Sequence, residues 1–137
     1  MPASKAELYT DGGARGNPGP AGIGGVLKIK NAKLKIKKFK EYIGAATNNQ
    51  AEYQALLEGM RLAAEEKVSE LKVFMDSELI VKQLTGKYKV KNHGLKPLFA
   101  KVLKLTNKFT NITFHHVVRE ENKVADKLVN QAIDEAK

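Results

Sequence analysis

Cysteine does not occur in this 137-residue sequence, which excludes a disulfide scaffold, a thiolate zinc site and a cysteine nucleophile. Long apolar runs are missing as well. No stretch approaches the roughly 20 apolar residues of a membrane span, and the first residues contain no apolar signal core. Hydrophobic residues still make up 42% of the chain, which is enough for a packed core. We therefore expect one domain over residues 1–137, cytoplasmic, without membrane contact, and monomeric with no obligate protein partner.

Acidic residues are absent from two long basic segments, in a chain whose net charge is +9. Residues 28–40 hold seven lysines and residues 82–108 hold eight, with no aspartate or glutamate in either segment. A lysine run is often only a solvated surface, but two acid-free segments of this size favour contact with a nucleic-acid backbone. Lysine rather than arginine favours contact that does not depend on base sequence.

Turn residues and side-chain periodicity divide the chain into nine predicted elements. The predicted strands cover 6–11, 21–30, 34–43, 71–76 and 111–118. The predicted helices cover 48–66, 77–85, 95–107 and 121–136. This order predicts an α/β fold whose mixed five-stranded sheet is a three-strand antiparallel meander extended by parallel strands, with helices on both faces.

Several local details follow from the same patterns. The alternation of the third strand slips between Ile36 and Phe39, which predicts a β-bulge there. Thr47 or Asn48 is expected to cap the first long helix. One of His115 and His116 should face inward and the other outward, because neighbouring strand residues point to opposite faces. The last helix is predicted to bury a stripe that consists of Val124, Ala125, Leu128, Val129 and Ala132.

Four carboxylates occupy positions where they can meet. Asp11 and Asp76 each end an apolar strand, and open α/β sheets place their functional crevice at such ends. Glu52 and Asp126 lie near the starts of two helices. A single acid at a helix start is commonly capping electrostatics, but four together would repel one another unless cations were bound. Oxygen-only ligands favour Mg²⁺ or Mn²⁺, so the sequence predicts a divalent-metal site.

Four segments then carry a family resemblance: YTDGGARGNPGPAGIGGVL, TNNQAEYQALLEGMRLA, VFMDSELIVKQL and REENKVADKLVNQA. In this order and spacing, over residues 6–136, they resemble type 1 ribonuclease H, in particular its archaeal-like branch. The resemblance implies the ribonuclease H-like fold. It also implies an endoribonuclease that hydrolyses the RNA strand of RNA–DNA hybrids with two Mg²⁺ ions, for which Mn²⁺ can substitute, leaving 3′-hydroxyl and 5′-phosphate ends.

The resemblance also implies roles for individual residues. Asp11 would bridge both ions, Glu52 and Asp76 would complete the shell of one ion, and Asp126 would help to hold the other. The residues expected to contact the hybrid are Gly12, Gly13, Asn17, Thr47, Asn48, Asn49 and Gln50. Among them Thr47 and Asn17 match a pocket for a DNA phosphate. All except Thr47, with Asn17 included, match contacts across the minor groove to the RNA strand. The asparagines also suit turn and cap positions.

Two departures from the family pattern concern charge and the loop before the last aspartate. Many members carry a basic helical protrusion for which residues 86–98 are too short. The lysines expected to supply that charge here are Lys35, Lys37, Lys87, Lys89 and Lys91. Many members also place a mobile histidine before the last aspartate. Counting back from Asp126 gives His116, while Arg119 occupies the shortened loop. Both are therefore candidate catalytic residues, and a third possibility is that neither contributes.

Two other functions remain compatible with parts of the pattern. A non-catalytic module that binds hybrids or duplex RNA would keep the fold and the basic surface, but it would gain nothing from a repulsive acidic cluster. A different metal-dependent nuclease core, such as a resolvase or an integrase, would keep the acids but would not be expected to carry TDGGARGNPGP and TNNQAE.

Overall fold

The computed structural model describes residues 4–136, so residues 1–3 and 137 of the predicted domain lie outside the described residues. Within the described range the chain forms five strands, four α-helices and one short 3₁₀ helix. The strands are β1 (Lys5–Ala14), β2 (Gly19–Lys30), β3 (Leu34–Ala46), β4 (Glu70–Met75) and β5 (Asn111–His116). The α-helices are α1 (Asn48–Glu65), α2 (Glu78–Leu84), α3 (Lys96–Thr106) and α4 (Lys123–Glu135), and the 3₁₀ helix covers Arg119–Asn122.

The strands form one mixed sheet in the order β3-β2-β1-β4-β5. β1 pairs antiparallel with β2, and β2 pairs antiparallel with β3. β4 runs parallel to β1 and to β5. The predicted fold class is therefore confirmed. Because β1 and β4 are parallel neighbours, their carboxyl ends lie at the same edge of the sheet, and that edge carries Asp11 and Asp76.

Helices cover the two faces of the sheet unequally. The larger core lies under α1, where Leu8 and Leu27 of the sheet pack with Tyr53 and Leu56 of the helix, all fully buried. α2 and α3 add side chains to that same core. On the other face α4 lies directly against β2, where a methyl group on Gly24 would come within 2.7–3.0 Å of α4 atoms. The helix that carries Asp126 is thus seated on bare backbone.

The β-bulge is in a different place from the one predicted. Pairing between β2 and β3 is uninterrupted from Ile36 to Phe39, and the register shifts instead at Ala21/Gly22, where Ile43 has no partner on β2. The slip in alternation has another cause. β3 is an edge strand, and Ile36 lies on its solvent side with 50% exposure, so an apolar residue there does not mark the buried face.

Three other expectations need correction. β5 ends at His116, two residues early, and both His115 and His116 are exposed because β5 is the other edge strand. Val124 is 48% exposed rather than part of the buried stripe of α4. β1 continues three residues beyond Asp11. The N-cap of α1 is Thr47, one of the two predicted residues.

No helix within residues 4–136 combines the length and the apolar character needed to cross a bilayer.

Candidate functional site

A cleft of about 450 Å³ opens at the edge of the sheet where β1 and β4 end. Asp11 comes from β1, Asp76 follows β4 directly, and Glu52 reaches the cleft from the second turn of α1. One carboxylate oxygen from each of these three residues lies within 4.8 Å of the other two. Three of the four predicted acids therefore converge closely enough to share a cation.

A close approach of α1 to β1 holds Glu52 in place. The Oε1 atom of Glu52 accepts a hydrogen bond of 2.5 Å from the backbone N–H of Gly12. A Cβ atom at Gly12 would lie 2.2 Å from the carbonyl oxygen of Ala51, so only glycine lets the helix come this near. Gly12, predicted as a substrate contact, therefore also has a structural task at this site.

The electrostatics of the cluster follow from its burial. Burial is the main cause that raises the pKa of Asp11 to about 7, followed by the nearby charge of Asp76, while the hydrogen bond with Glu52 acts in the opposite direction. Burial, followed by the charge of Asp11, also raises the pKa of Glu52. Without a cation the cluster therefore retains a proton near neutral pH, and a divalent cation would remove the repulsion that holds it there.

Asp126 stands at the side of this cluster. It lines the same cleft from the first turn of α4 and is near enough to contribute to the raised pKa of Asp11. Its carboxylate is not among the oxygens that lie within 4.8 Å of one another. Oδ1 of Asp126 instead lies 3.6 Å from Nη2 of Arg119. Asp126 therefore lies beside the three clustered carboxylates, close to Asp11, and its part in cation binding stays a prediction.

The two candidates for the loop position differ in where they lie. Arg119 lines the cleft, and its side chain is 77% exposed. His116 ends β5 and is not among the residues that line the cleft. His116 lies close enough to Glu78 to affect its pKa. That pKa is lowered mainly by a hydrogen bond from Lys82, and His116 makes the smallest contribution. The geometry favours Arg119 over His116, and the role of either residue stays a prediction.

The predicted substrate residues surround the amino end of α1. Gly13, Asn48 and Asn49 line the cleft. Asn17 and Asn48 tie the loop after β1 to the helix, because the Asn48 N–H donates to Asn17 Oδ1 at 3.0 Å and the Ala14 N–H donates to Asn48 Oδ1 at 2.8 Å.

Thr47 and Gln50 form a reciprocal capping box. The Gln50 N–H donates to Thr47 Oγ1 at 3.1 Å, and the Thr47 N–H donates to Gln50 Oε1 at 2.9 Å. Structural use of these side chains is therefore established, and contact with a substrate remains a prediction for them.

The predicted lysines fall into two groups. Lys35 and Lys37 are both paired with Glu66, at 2.9 and 2.7 Å, and they lie near the end of the sheet opposite the cleft, since they pair with Ile29 and Leu27 of β2. The second group comprises Lys87, Lys89 and Lys91, which are exposed in the segment between α2 and α3. No carboxylate of residues 4–136 lies within ion-pair distance of this second group.

Two residues of the site were missed by sequence reasoning. Asn122 is 1% exposed, and its Nδ2 donates to the carbonyl oxygen of Thr10 at 2.9 Å. It thereby ties the start of α4 to the strand residue before Asp11. Its position just before a helix resembled an ordinary cap, yet its side chain makes no cap hydrogen bond. Arg15 lines the cleft from the loop after β1, and its place in a Gly- and Pro-rich turn indicated only a connection.

The sequence matches the protein family described as reverse transcriptase-like over residues 9–132. It is 41% identical over 132 residues to a bifunctional protein of Mycobacterium tuberculosis, of which it spans 36%. The chain thus spans about a third of the length of these mycobacterial relatives. The solved N-terminal RNase H domain from that organism, a fusion with maltose binding protein, superposes with a TM-score of 0.92 at 40% identity, over 98% of this chain and 96% of the other.

Two further structures are similar over nearly the whole described chain. LC11-RNase H1, solved in complex with an RNA/DNA hybrid, is 46% identical with a TM-score of 0.87, and 96% of this chain and 98% of that chain are covered. RNase H1 of Halobacterium salinarum is 37% identical with a TM-score of 0.89, over 96% and 98% of the two chains. The curated ribonuclease HI of that organism is matched over 66% of its length. With its acidic cleft at the carboxyl ends of β1 and β4, the chain belongs to the type 1 ribonuclease H family.

Proposed function

We propose that this chain is a divalent-metal-dependent endoribonuclease that hydrolyses the RNA strand of RNA–DNA hybrids. The observation that carries the proposal is the cluster of Asp11, Glu52 and Asp76, whose carboxylate oxygens lie within 4.8 Å of one another in an open cleft. Carboxylates that lie this close together and are shielded from water repel one another unless cations are bound there. The solved hybrid complex of LC11-RNase H1 supports the choice of substrate.

The donor set of the cleft fits Mg²⁺ or Mn²⁺. All the candidate ligands are carboxylate oxygens, which are the donors these hard cations prefer. Asp11, Glu52 and Asp76 would hold one ion, and Asp126, together with Asp11, would hold a second. When bound, two such ions activate a water and stabilise the charge that develops on the attacking and leaving oxygens of a phosphodiester.

The residues of the chain prepare this site before any substrate arrives. The Gly12 N–H fixes the orientation of Glu52 by donating to its Oε1. Asp11 would hold a bound cation as a carboxylate, because the positive charge would offset the cost that burial and the neighbouring carboxylates impose on its charged form. Arg119 is exposed and lies next to Asp126. Its side chain can therefore turn toward the leaving oxygen of the cut strand. In-line hydrolysis at this site would leave 3′-hydroxyl and 5′-phosphate ends.

Recognition of the hybrid is proposed to occur at the amino end of α1. Backbone groups of Gly12 and Gly13 and the amides of Asn17, Asn48, Asn49 and Gln50 can both donate to and accept from 2′-hydroxyl groups, which distinguish RNA from DNA. Thr47 would join Asn17 at a DNA phosphate. The lysine-rich segment between α2 and α3 would supply backbone contacts without base reading. As part of the same proposal the enzyme acts as a cytoplasmic monomer that needs no protein partner.

A digest of labelled oligonucleotides tests the proposal. RNA–DNA hybrid, duplex RNA, duplex DNA and both single strands are incubated with the protein in Mg²⁺, in Mn²⁺ and in a chelator. We expect cleavage within the RNA strand of the hybrid, 5′-phosphate on the downstream products, and no cleavage in chelator. Binding of the hybrid without cleavage in either metal would instead indicate the non-catalytic module, and cutting of duplex DNA would indicate a different nuclease.

A further inference from the structure

Arg15 is a cleft residue to which neither the family resemblance nor the proposed chemistry gives a role. It lies in the turn that joins β1 to β2 and lines the cleft beside Gly13 and Asn49. Its side chain is 37% exposed. The other charged residues of the cleft are four carboxylates and Arg119. Arg15 therefore adds a second positive charge to a mainly acidic lining.

The guanidinium of Arg15 is held against the last turns of α4. Nη1 donates to Oδ1 of Asp134 at 2.6 Å. Nη2 lies 3.5 Å from the carbonyl oxygen and 3.4 Å from Oδ1 of Asn130, which are long distances for hydrogen bonds. Asp134 thus sets the direction of the side chain, while the nitrogen near Asn130 is only weakly bound and can exchange that contact for a stronger acceptor.

Arg119, the other arginine that lines the cleft, also pairs with a carboxylate of α4. It pairs with Asp126, which precedes Asp134 by eight residues on the same helix. At 1.5 Å per residue, these two carboxylates are about 12 Å apart along α4. The two carboxylates that pair with Arg119 and Arg15 are therefore separated along α4 by a distance that corresponds to a few nucleotides, given an axial rise of about 3.4 Å per nucleotide of one strand.

We propose that Arg15 binds a backbone phosphate of the nucleic acid a few nucleotides from the carboxylate cluster, and so fixes the register of the cut strand over the carboxylates. Arginine suits this task because its planar fork of N–H donors matches phosphate oxygens. Nη2 is the donor that turns from Asn130 to the phosphate, while Nη1 stays on Asp134. This inference rests on the proposed function, since it specifies which group of that substrate the cleft holds.

A simpler role for Arg15 is to tie the loop after β1 to α4. The two roles make different predictions. A tie would act on all substrates equally, because it alters the protein alone. A phosphate contact would depend on one particular phosphate, and its removal would be invisible on a substrate that lacks the charge at that position.

The experiment is a scan of single uncharged phosphates. A set of hybrids, each with one methylphosphonate linkage in the RNA or the DNA strand and a single preferred cleavage site, is cleaved by the wild-type protein and by Arg15→Ala. We expect one position, a few nucleotides from the cut, at which the substitution raises KM of the wild type about tenfold and leaves the KM of Arg15→Ala unchanged. On all-phosphate hybrid the variant should also lose about one unit of the slope of log KM against log salt.

Two further variants make the outcome decisive. Arg61→Ala is the matched control, since Arg61 is a half-exposed arginine paired with Glu58 on α1 and lies outside the cleft; it should keep the wild-type pattern at every position. Arg15→Lys keeps the charge but not the fork, and should recover part of the affinity with the same positional dependence. If each methylphosphonate raised KM equally in the wild type and in Arg15→Ala, the phosphate contact would be overturned. Cleavage of the hybrid by the wild type would still uphold the proposed function.

Discussion

At the scale of single residues, Asp11 is a carboxyl group whose charged form is destabilised by its surroundings. It is 7% exposed, lies beside Asp76 and Glu52, and carries a pKa raised to about 7, chiefly by burial. In the unfolded chain the same carboxyl would titrate near 3.8. Between about pH 4 and pH 7 the folded protein therefore keeps a proton on Asp11 that the unfolded chain has already released.

The consequence is a pH dependence of stability with a definite sign. Because the folded state binds the extra proton, the free energy of unfolding falls as pH rises from about 4 to 7, and the penalty, on the order of a few kcal/mol, is complete above pH 7. We expect Asp11→Asn in chelator to raise the melting temperature clearly at pH 8 and little at pH 4.5. Thermal unfolding of both proteins at the two pH values measures this, and an equal gap at both would contradict it.

Asp76 provides a matching prediction for activity. It is half-buried, directly follows β4, and contributes an oxygen to the cluster. Asp76→Asn keeps the shape but removes the charge, so the fold and the affinity for hybrid should persist while cleavage falls by at least about a hundredfold. Glu78→Gln is the control, since Glu78 is exposed and paired with Lys82 and should cleave at nearly the wild-type rate. Undiminished turnover in Asp76→Asn would show that the Asp76 carboxylate is not needed for cleavage.

Sequence reasoning at this scale identified the acids but not the residues that position them. Asp11 and Asp76 are recognisable because each closes an apolar strand pattern in the sequence, although β1 itself continues to Ala14. Asn122 and Arg15 are not, because their partners are 112 and 119 residues away along the chain and no local pattern records a tertiary hydrogen bond. Asn122 Oδ1 and Thr10 Oγ1 are buried with no hydrogen-bond partner among the described residues.

At the scale of elements, the contact between β1 and α1 determines the shape of the cleft. Leu8, Thr10 and Gly12 point toward α1, and Gly12 meets its backbone at Ala51. Gly13 points to the other face, where an added Cβ would lie 3.8 Å from the nearest side-chain atom, in Val129. Two adjacent glycines therefore face opposite steric environments.

This difference gives a paired prediction. Gly12→Ala should lower the free energy of unfolding by at least about 2 kcal/mol, because the helix backbone must move away from the strand, and should also reduce turnover, because Glu52 moves with it. Gly13→Ala should cost less than about 1 kcal/mol. Chemical denaturation of the two variants checks the ranking. Similar stability of Gly12→Ala and Gly13→Ala would show that the backbone of α1 does not pack tightly against Gly12.

The elements themselves were largely predictable, and the failures have local causes. The stripe of α1 and the apolar run of β4 reflect burial on the larger core, so their periodicity was informative. The bulge at Ile43 was not predictable from alternation, because β3 is an edge strand on which apolar residues such as Ile36 are exposed. The buried stripe of α4 was displaced for a related reason: the helix covers only part of its face of the sheet, so Val124 extends beyond the contact.

At the scale of the whole molecule, the positive charge is distributed unevenly around an acidic cleft. Lys35 and Lys37 are already engaged by Glu66, and their hydrogen bonds lower the pKa of that carboxyl to about 2. Lys87, Lys89 and Lys91 have no such partner among the described residues. The second group therefore has more charge available for a phosphate backbone.

Neutralising the two groups separately tests that difference. Replacing Lys87, Lys89 and Lys91 with glutamine should raise KM for hybrid and reduce the slope of log KM against log salt by about one for each phosphate that the protein no longer neutralises. Replacing Lys35 and Lys37 should have a smaller effect on both. Steady-state kinetics between low and moderate salt measure the slopes. A larger change on replacing Lys35 and Lys37 would indicate that the hybrid binds near the opposite end of the sheet.

Carboxylates that lie far apart in the sequence are proposed to hold a pair of divalent cations, and the proposed enzymatic function depends on that pair. A Mn²⁺ titration followed by electron paramagnetic resonance measures it directly, with a hybrid made uncleavable by 2′-deoxy substitution at the scissile nucleotide. We expect two tightly bound ions per wild-type molecule and neither at that affinity in Asp11→Asn, since Asp11 is proposed to contact both. The same two ions in Asp11→Asn, bound with the same affinity, would show that the carboxylate cluster is not the metal site.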